Sequence, residues 1–193
     1  VKCGGAPQKV MYLSSDYFKK HHKLADIQFW SGGTRVFGVE KYEKTLKQVI
    51  HRYGIKTQFF VQLVEIDGPA KKAKFVGLGE ANKGQEYWVD YDMIHVTPPQ
   101  SAPDFIRRST LANQAGWVEV DKHSLQHVRF PNVFSCGDVA GIPVSRTGAA
   151  IRKQAPVLVA NLLSLIKGDA LKASYNGYSS CPIVTGYGKL VLA

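Results

Sequence analysis

The most constraining stretch of this chain is Asn132–Ala150, NVFSCGDVAGIPVSRTGAA. An apolar run ending at Val133-Phe134 predicts a short buried strand. Gly137-Asp138 breaks it, and a small-residue loop leads into the helical run Thr147–Lys167. A strand that stops at Gly-Asp just before a helix suits recognition of a polyol or a phosphate. Gly137 allows close backbone approach, Asp138 can accept from hydroxyls, and the new helix offers free N–H groups at its positive end. Gly-Asp alone is also a common turn dipeptide.

The rest of the chain frames that motif. Gly4-Gly5-Ala6-Pro7 predicts a loop and Gln8–Lys20 a helix, so Cys3 falls just ahead of a helix N-terminus. Asp26–Trp30 predicts a strand, and Val39–Tyr53 a helix closed by Gly54. Ile55–Ile66, Lys74–Val76 and Glu86–Asp90 predict strands, with a turn at Asp67-Gly68-Pro69 and a short buried strand at Met93–Val96. An irregular segment runs to Gln114, then Trp117–Val120 predicts a strand and His123–Phe130 a polar loop. Gly168-Asp169 closes the long helix, and the turn-rich tail ends in a strand at Lys189–Leu192. Helix, strand, helix and then a run of strands indicates an α/β fold: half of a nucleotide-binding-type unit with a β-meander attached.

Bulk properties narrow the function classes. A hydrophobic content of 45% supports a packed core, and no run approaches 18 apolar residues, so no membrane span is expected. The chain starts at Val1 without a signal peptide, and is expected to be a piece of a longer protein. A net charge of +10 favours anionic partners, yet the basic residues are scattered and no nucleic-acid motif accompanies them, so nucleic acid is not expected. The three cysteines, Cys3, Cys136 and Cys181, lack CxxC spacing, which argues against zinc and against a disulfide scaffold. One functional pair plus one bystander fits better.

Two further features are set aside. Gly77-Leu-Gly79 imitates the start of GxGxxG, but position 82 is Asn and no helix follows. His123 and His127 have helical ligand spacing but lie in a predicted loop without a third ligand, so no metal is expected. His95 is expected in the core, His21, His22 and His51 at the surface. Trp30, Phe59, Phe60 and Trp88 are expected to pack in the core or on a sheet face.

Asn132–Ala150 resembles the second flavin-binding motif of the FAD-dependent disulfide reductase superfamily. VKCGGAPQKVMYLS, MIHVTPPQSAP, GWVEVDKHSLQHVRFPNVFSCGDVAGIPVSRTGAA and YNGYSSCPIVTGY narrow this. Together they resemble the sulfide:quinone oxidoreductases of the mitochondrial-like (type II) branch, over essentially the whole chain. The resemblance implies a Rossmann-like three-layer unit with a β-meander, a second nucleotide-binding-type domain without a nucleotide, truncated at its start and covering 1–98. It further implies the second half of a split FAD-binding domain at 99–170, and the start of a redox-cysteine and membrane region at 171–193.

It also implies a chemistry. Sulfide attacks a Cys3–Cys181 disulfide, Cys181 carries the persulfide, and the Cys3 thiolate faces the flavin. A helix N-terminus and Lys2 would both lower the Cys3 thiol pKa. FAD would be held by Gly137, Asp138 and Val139 and by Ser145, Arg146 and Thr147. The helix dipole would favour the reduced flavin, and Arg146 and Lys153 either add charge there or are exposed helix-surface cations. Electrons would pass to a membrane quinone and the sulfane sulfur to an acceptor such as glutathione or sulfite. Cys136, where relatives often carry a small or aliphatic residue, is expected to be a packing thiol. Segments outside this chain would seat the protein on a membrane, the bacterial cytoplasmic membrane or else the mitochondrial inner membrane, and a homo-oligomer is compatible. Isolated, the chain is expected to be inactive. The rivals are an NADH:quinone oxidoreductase, which would need a dinucleotide fingerprint where Cys3-Gly-Gly-Ala-Pro-Gln stands, and a flavin-free persulfide carrier.

Overall fold

The computed structural model describes residues 3–193, so Lys2 and its effect on Cys3 lie outside the described residues. The fold is α/β and divides into two compact units: Val1–Cys3 with Pro98–Cys181, and Gly4–Thr97 with Pro182–Ala193. The chain passes between the units three times, at Cys3/Gly4, Thr97/Pro98 and Cys181/Pro182. The sequence-based third segment at 171–193 is instead shared, its two parts separating after Cys181.

The unit containing Gly4–Thr97 is built from regular elements. Helix α1 (Ala6–Lys20) begins with Pro7 in its first turn, where a missing N–H leaves no bond unmade. Its buried face is polar-stitched: Gln8 Nε2 donates to Val36 O at 2.6 Å, and the Tyr12 hydroxyl donates to Gln8 Oε1. Burial pushes the Tyr12 phenol well up. Strand β1 (Gln28–Trp30) pairs in parallel with β2 (Lys56–Gln58), and the connection between them includes helix α2 (Glu40–Tyr53). Parallel strands need such a crossover. Glu40 and Glu43 sit in the first turn of α2, favourable to its dipole, and a left-handed Gly54 ends it.

Strands β3 (Val61–Asp67), β4 (Lys72–Gly77) and β5 (Glu86–Asp90) form an antiparallel meander. The single strand expected at Ile55–Ile66 is therefore two, in different sheets. Phe60 takes a left-handed φ of 56° and breaks the extended run. Period-2 alternation buries Val61, Ala73 and Phe75, against which Trp30, Tyr87 and Val89 pack. The opposite face carries Lys74, 2.9 Å from Glu86 and over the Trp88 ring. Trp88 thus lies on the open sheet face, as one of the two placements expected, and Phe60 is exposed at the bend before β3. Gly77 serves the β4–β5 turn: a Cβ there would stand 1.8 Å from Asn82 O. Asn82, in the place of a fingerprint glycine, accepts from Gly79 N–H.

The short strand expected at Met93–Val96 does not form. Met93, His95 and Val96 are exposed, and only Ile94 reaches the meander's core. An unexpected strand β6 (Pro182–Gly186) pairs with β7 (Lys189–Leu192). Asp16 anchors this hairpin, accepting from Tyr187 N–H at 2.9 Å, while the Tyr53 hydroxyl shares its proton between Asp16 and Thr185 O. The Tyr187 N–H, then the Tyr53 hydroxyl, hold the Asp16 carboxyl below its ordinary range.

The unit containing Pro98–Cys181 is mostly irregular. Among its described residues are a single-turn α-helix, α3 (Asp104–Arg107), and a long helix, α4 (Gly148–Lys167). The strands expected at Trp117–Val120 and at Val133-Phe134 are only isolated bridges, Ala112 to Val118, Val118 to Ala140, Val120 to His127 and Gln126 to Phe134. Val118, Val120, Leu125, Ala140, Ile142 and Tyr175 form the core, with Val157 and Leu158 of α4 packed on it. His127 is a buried keystone rather than a loop residue. Its Nδ1 accepts from Arg129 N–H and Phe130 N–H, so the ring proton sits on Nε2 and bonds Leu111 O.

Among the described residues, α4 is the one helix long and apolar enough to cross a membrane by length and composition. Arg152, Lys153 and Lys167 interrupt it, and its buried residues, Ala150, Gln154 and Asn161, include two polar side chains. Val159, Leu163 and Ile166 are exposed along it.

Candidate redox and cofactor site

Cys3 and Cys181 form a disulfide across 178 positions. Both belong to the Pro98–Cys181 unit, and both are buried. The chain leaves that unit after each of them, so the bond joins residues at two of the three crossings between units. Cys3 lies three residues before the first residue of α1. Among the described residues no cluster of metal-ligating side chains exists.

The flavin-like motif folds around α4. Cys136 is extended, and Gly137–Val139 make a single 3₁₀ turn with Gly137 at φ 74°, a left-handed conformation that favours glycine. A Cβ at Gly137 would meet the Ile151 side chain at 3.3 Å, so the close approach this glycine permits is to α4. Its N–H donates to Gln154 Oε1 at 2.8 Å. The Asp138 side chain is on an exposed residue, while Val139 packs on the core and receives Val118 N–H at its carbonyl.

Thr147 caps α4, its side chain accepting from Ala150 N–H at 3.1 Å. Gly148 and Ala149, ahead of the first closed turn, have no intrahelical acceptor. Arg146 precedes the helix and is no helix-surface cation. Its Nε donates to Asp138 O at 2.8 Å, and its guanidinium lies 3.8 Å from the Trp117 ring centre. It thus splints the Gly-Asp turn to the segment before α4. Lys153, in contrast, is exposed on α4.

The third part of the site is the irregular segment after α4. Asn161 donates to Ser124 O and Ala173 O and accepts from Ala173 N–H. Tyr175 N–H donates to His123 O, and the Tyr175 hydroxyl bonds Tyr178 O. Ser179 then bonds both Thr147 Oγ1, at 3.0 Å, and Ser145 O, at 3.1 Å. Ser145, Thr147 and the approach to Cys181 are therefore directly connected, and Arg146 ties Asp138 to the same place.

Sequence reasoning overlooked Gln154, Asn161 and Ser179. A signal existed for two of them: Gln154 and Asn161 are seven apart on a mostly apolar helix, the spacing of one helix face. Cys136 packs against the core, and burial pushes its thiol pKa up. The exposed Asp138 carboxylate, on a turn that Arg146 ties to the start of α4, can accept from hydroxyls, and the Gly148 and Ala149 N–H groups can donate to a carbonyl edge. A buried disulfide nearby in the same unit can undergo thiol exchange.

No protein-family model matches the chain. A mitochondrial sulfide:quinone oxidoreductase of Schizosaccharomyces pombe is 43% identical over 198 residues, spanning all of this chain and 42% of the relative. The Dictyostelium discoideum protein of the same name is 46% identical, again over all of this chain and 42% of its own length. The chain thus spans well under half the length of these relatives. The crystal structure of sulfide:quinone oxidoreductase from Aquifex aeolicus superposes with a TM-score of 0.82 at 19% identity, over 95% of this chain and 46% of that one.

Proposed function

Because the chain is homologous over its whole length to the sulfide:quinone oxidoreductases, we propose that it supplies the redox cysteines and half of the flavin site of such an enzyme. The observation that carries the reading is the buried Cys3–Cys181 disulfide, within the same unit as the Gly137–Val139 turn and α4. Hydrosulfide attacks the Cys181 sulfur, the Cys3–Cys181 bond breaks, and Cys3 leaves as a thiolate while Cys181 holds a persulfide. The outer persulfide sulfur passes to a thiol or sulfite acceptor, leaving two reduced cysteines. Their return to the disulfide releases two electrons and two protons.

FAD, when bound, supplies the two-electron acceptor between this cysteine pair and a membrane quinone. The residues present fit it. The Asp138 carboxylate can accept from a ribityl hydroxyl, and the N–H groups of Gly148 and Ala149 suit an electron-rich carbonyl edge. Gly137 and Val139 shape the turn, Arg146 holds Asp138 in place, and Ser145 and Thr147 set the helix start. The protein's location is a membrane surface, bacterial or mitochondrial.

Cys181→Ser in the full-length protein is expected to abolish sulfide oxidation. In an anaerobic titration, sulfide should bleach the flavin absorbance of the unmutated protein, quinone should restore it, and NADH should do neither. Retained turnover in the variant, or bleaching by NADH alone, refutes the reading.

A further inference from the structure

The proton count around Ser179 fixes the direction of a hydrogen-bond chain. Its hydroxyl donates to Ser145 O, so toward Thr147 it can only accept. Thr147 therefore donates to Ser179 while accepting from Ala150 N–H. The resulting relay, Ala150 N–H to Thr147 to Ser179 to Ser145 O, is fully satisfied and closes on the start of α4. Thr147 is buried, and Ser179 stands two residues before Cys181.

The segment that carries Cys181 has no regular secondary structure of its own between Asp169 and Cys181. It is held instead by polar pins at Ala173, Tyr175 and Ser179. Opening the disulfide removes the covalent hold on Cys181, and the Ser179 clasp, two residues away, is unaffected by that chemistry.

We infer that the Ser179 hydroxyl is a positioning group: through Thr147 and Ser145 O it keeps the segment that carries Cys181 tied to the start of α4 while the disulfide is open, so that Cys3 and Cys181 can rejoin. The inference rests on the redox-pair reading above. A pair held in place has a high effective concentration, which favours the disulfide over the dithiol at a given redox poise.

The test is a thiol–disulfide equilibrium, measured without sulfide. The full-length flavoprotein, carrying Cys136→Ser to remove the third thiol, is equilibrated anaerobically in glutathione buffers. There the disulfide plus two glutathione exchanges with the dithiol plus glutathione disulfide. Trapping and mass measurement give the disulfide fraction. Ser179→Ala is expected to lower the equilibrium constant for disulfide formation about five- to tenfold, the scale of one well-placed hydrogen bond. Ser179→Thr should restore it to within about twofold. Thr147→Val removes one of the two Ser179 bonds and leaves the one to Ser145 O, so it should give a smaller fall in the same direction, and the double variant no further fall than Ser179→Ala. This keeps the question open to an answer if either single variant folds poorly.

A constant unchanged in both single variants, or no rescue by threonine, overturns the clasp while leaving the redox pair standing. A parent protein that forms no Cys3–Cys181 disulfide at any glutathione ratio overturns both. Sulfide turnover measured in parallel separates the two failures, because the redox-pair reading stands on Cys181→Ser and the clasp on Ser179.

Discussion

The β3–β5 meander and the Asp169–Cys181 segment are held by opposite means. The meander carries its own ladders and buries an apolar face of Val61, Ala73 and Phe75. The segment before Cys181 has no ladder; the Asn161 side chain and the His123 carbonyl bind its backbone. Regular structure shares its stability over many small contacts, whereas a pinned segment concentrates it in a few polar groups that have no substitutes. The pinned kind leads directly to Cys181 of the disulfide, where, on the function proposed above, a chain must hold position through a change of bonding.

The sharpest way to break the meander is Phe75→Ala, expected to destabilise its unit by about 4 kcal/mol through lost burial and a cavity. Amide exchange should accelerate first in β3–β5, around the Trp30 ring, which touches the rings of both Phe75 and Tyr87. If the ladder amides keep their protection, the apolar face is not what holds this sheet.

The pinned segment should fail at a single polar residue. Asn161 is fully buried and makes three hydrogen bonds to Ser124 and Ala173. Asn161→Ala leaves those buried groups unpaired, with an expected loss of about 3 kcal/mol. Exchange should rise at Ala173 and Tyr175 before the bridge at Val118. Asn161→Leu, which adds apolar volume at a similar size, should be no better, since the partners are backbone groups that no hydrocarbon satisfies.

The same contrast explains what could be read in advance. Both long helices of the Gly4–Thr97 unit and the β4 and β5 strands follow from period and punctuation, because each carries its own apolar face and its own stops, such as Gly54. In the other unit, periodicity locates α4 but misassigns Trp117–Val120 and Val133-Phe134. Their apolar residues are buried under loops, with single bridges instead of ladders. His127 and Asn161 look like loop and helix-surface residues by type, and their roles depend on carbonyls far along the chain. Cys3 and Cys181 were legible only through the resemblance of whole strings, because a separation of 178 residues carries no local signal.

Acid should strain both units through carboxylates held by backbone N–H donors, Asp121 in one and Asp16 in the other. Asp121 accepts from Ser124 and His123 N–H groups, and Asp16 from Tyr187 N–H and the Tyr53 hydroxyl; each is held below its ordinary range by those donors. A carboxyl whose folded pKa is depressed contributes stability above its unfolded value of about 3.9, and the contribution is lost as pH falls through the lower folded value. Stability measured by denaturant midpoint should therefore decline from about pH 5 downward. Asp121→Asn and Asp16→Asn should each flatten part of that decline. A decline unaltered in both variants would place the acid sensitivity elsewhere.

The smallest expected effect is at the cysteine nearest the flavin-like turn. Cys136 directly precedes Gly137, and position alone would nominate it as a third redox centre. Its surroundings argue otherwise: it packs on the core of Val118, Leu125 and Ala140, and burial raises its thiol pKa, so little thiolate exists at neutral pH. A thiol in that state is a small apolar filler, and Cys136→Ser exchanges it for a more polar group of similar size. The expected loss is under about 1 kcal/mol, with sulfide turnover and the Cys3–Cys181 equilibrium unchanged. The kinetic counterpart is alkylation of the native protein under reducing conditions, where Cys136 should react more slowly than a free thiol. Faster reaction at Cys136 would mean that its thiolate is stabilised at the turn, and would make position, not packing, the better guide to this residue.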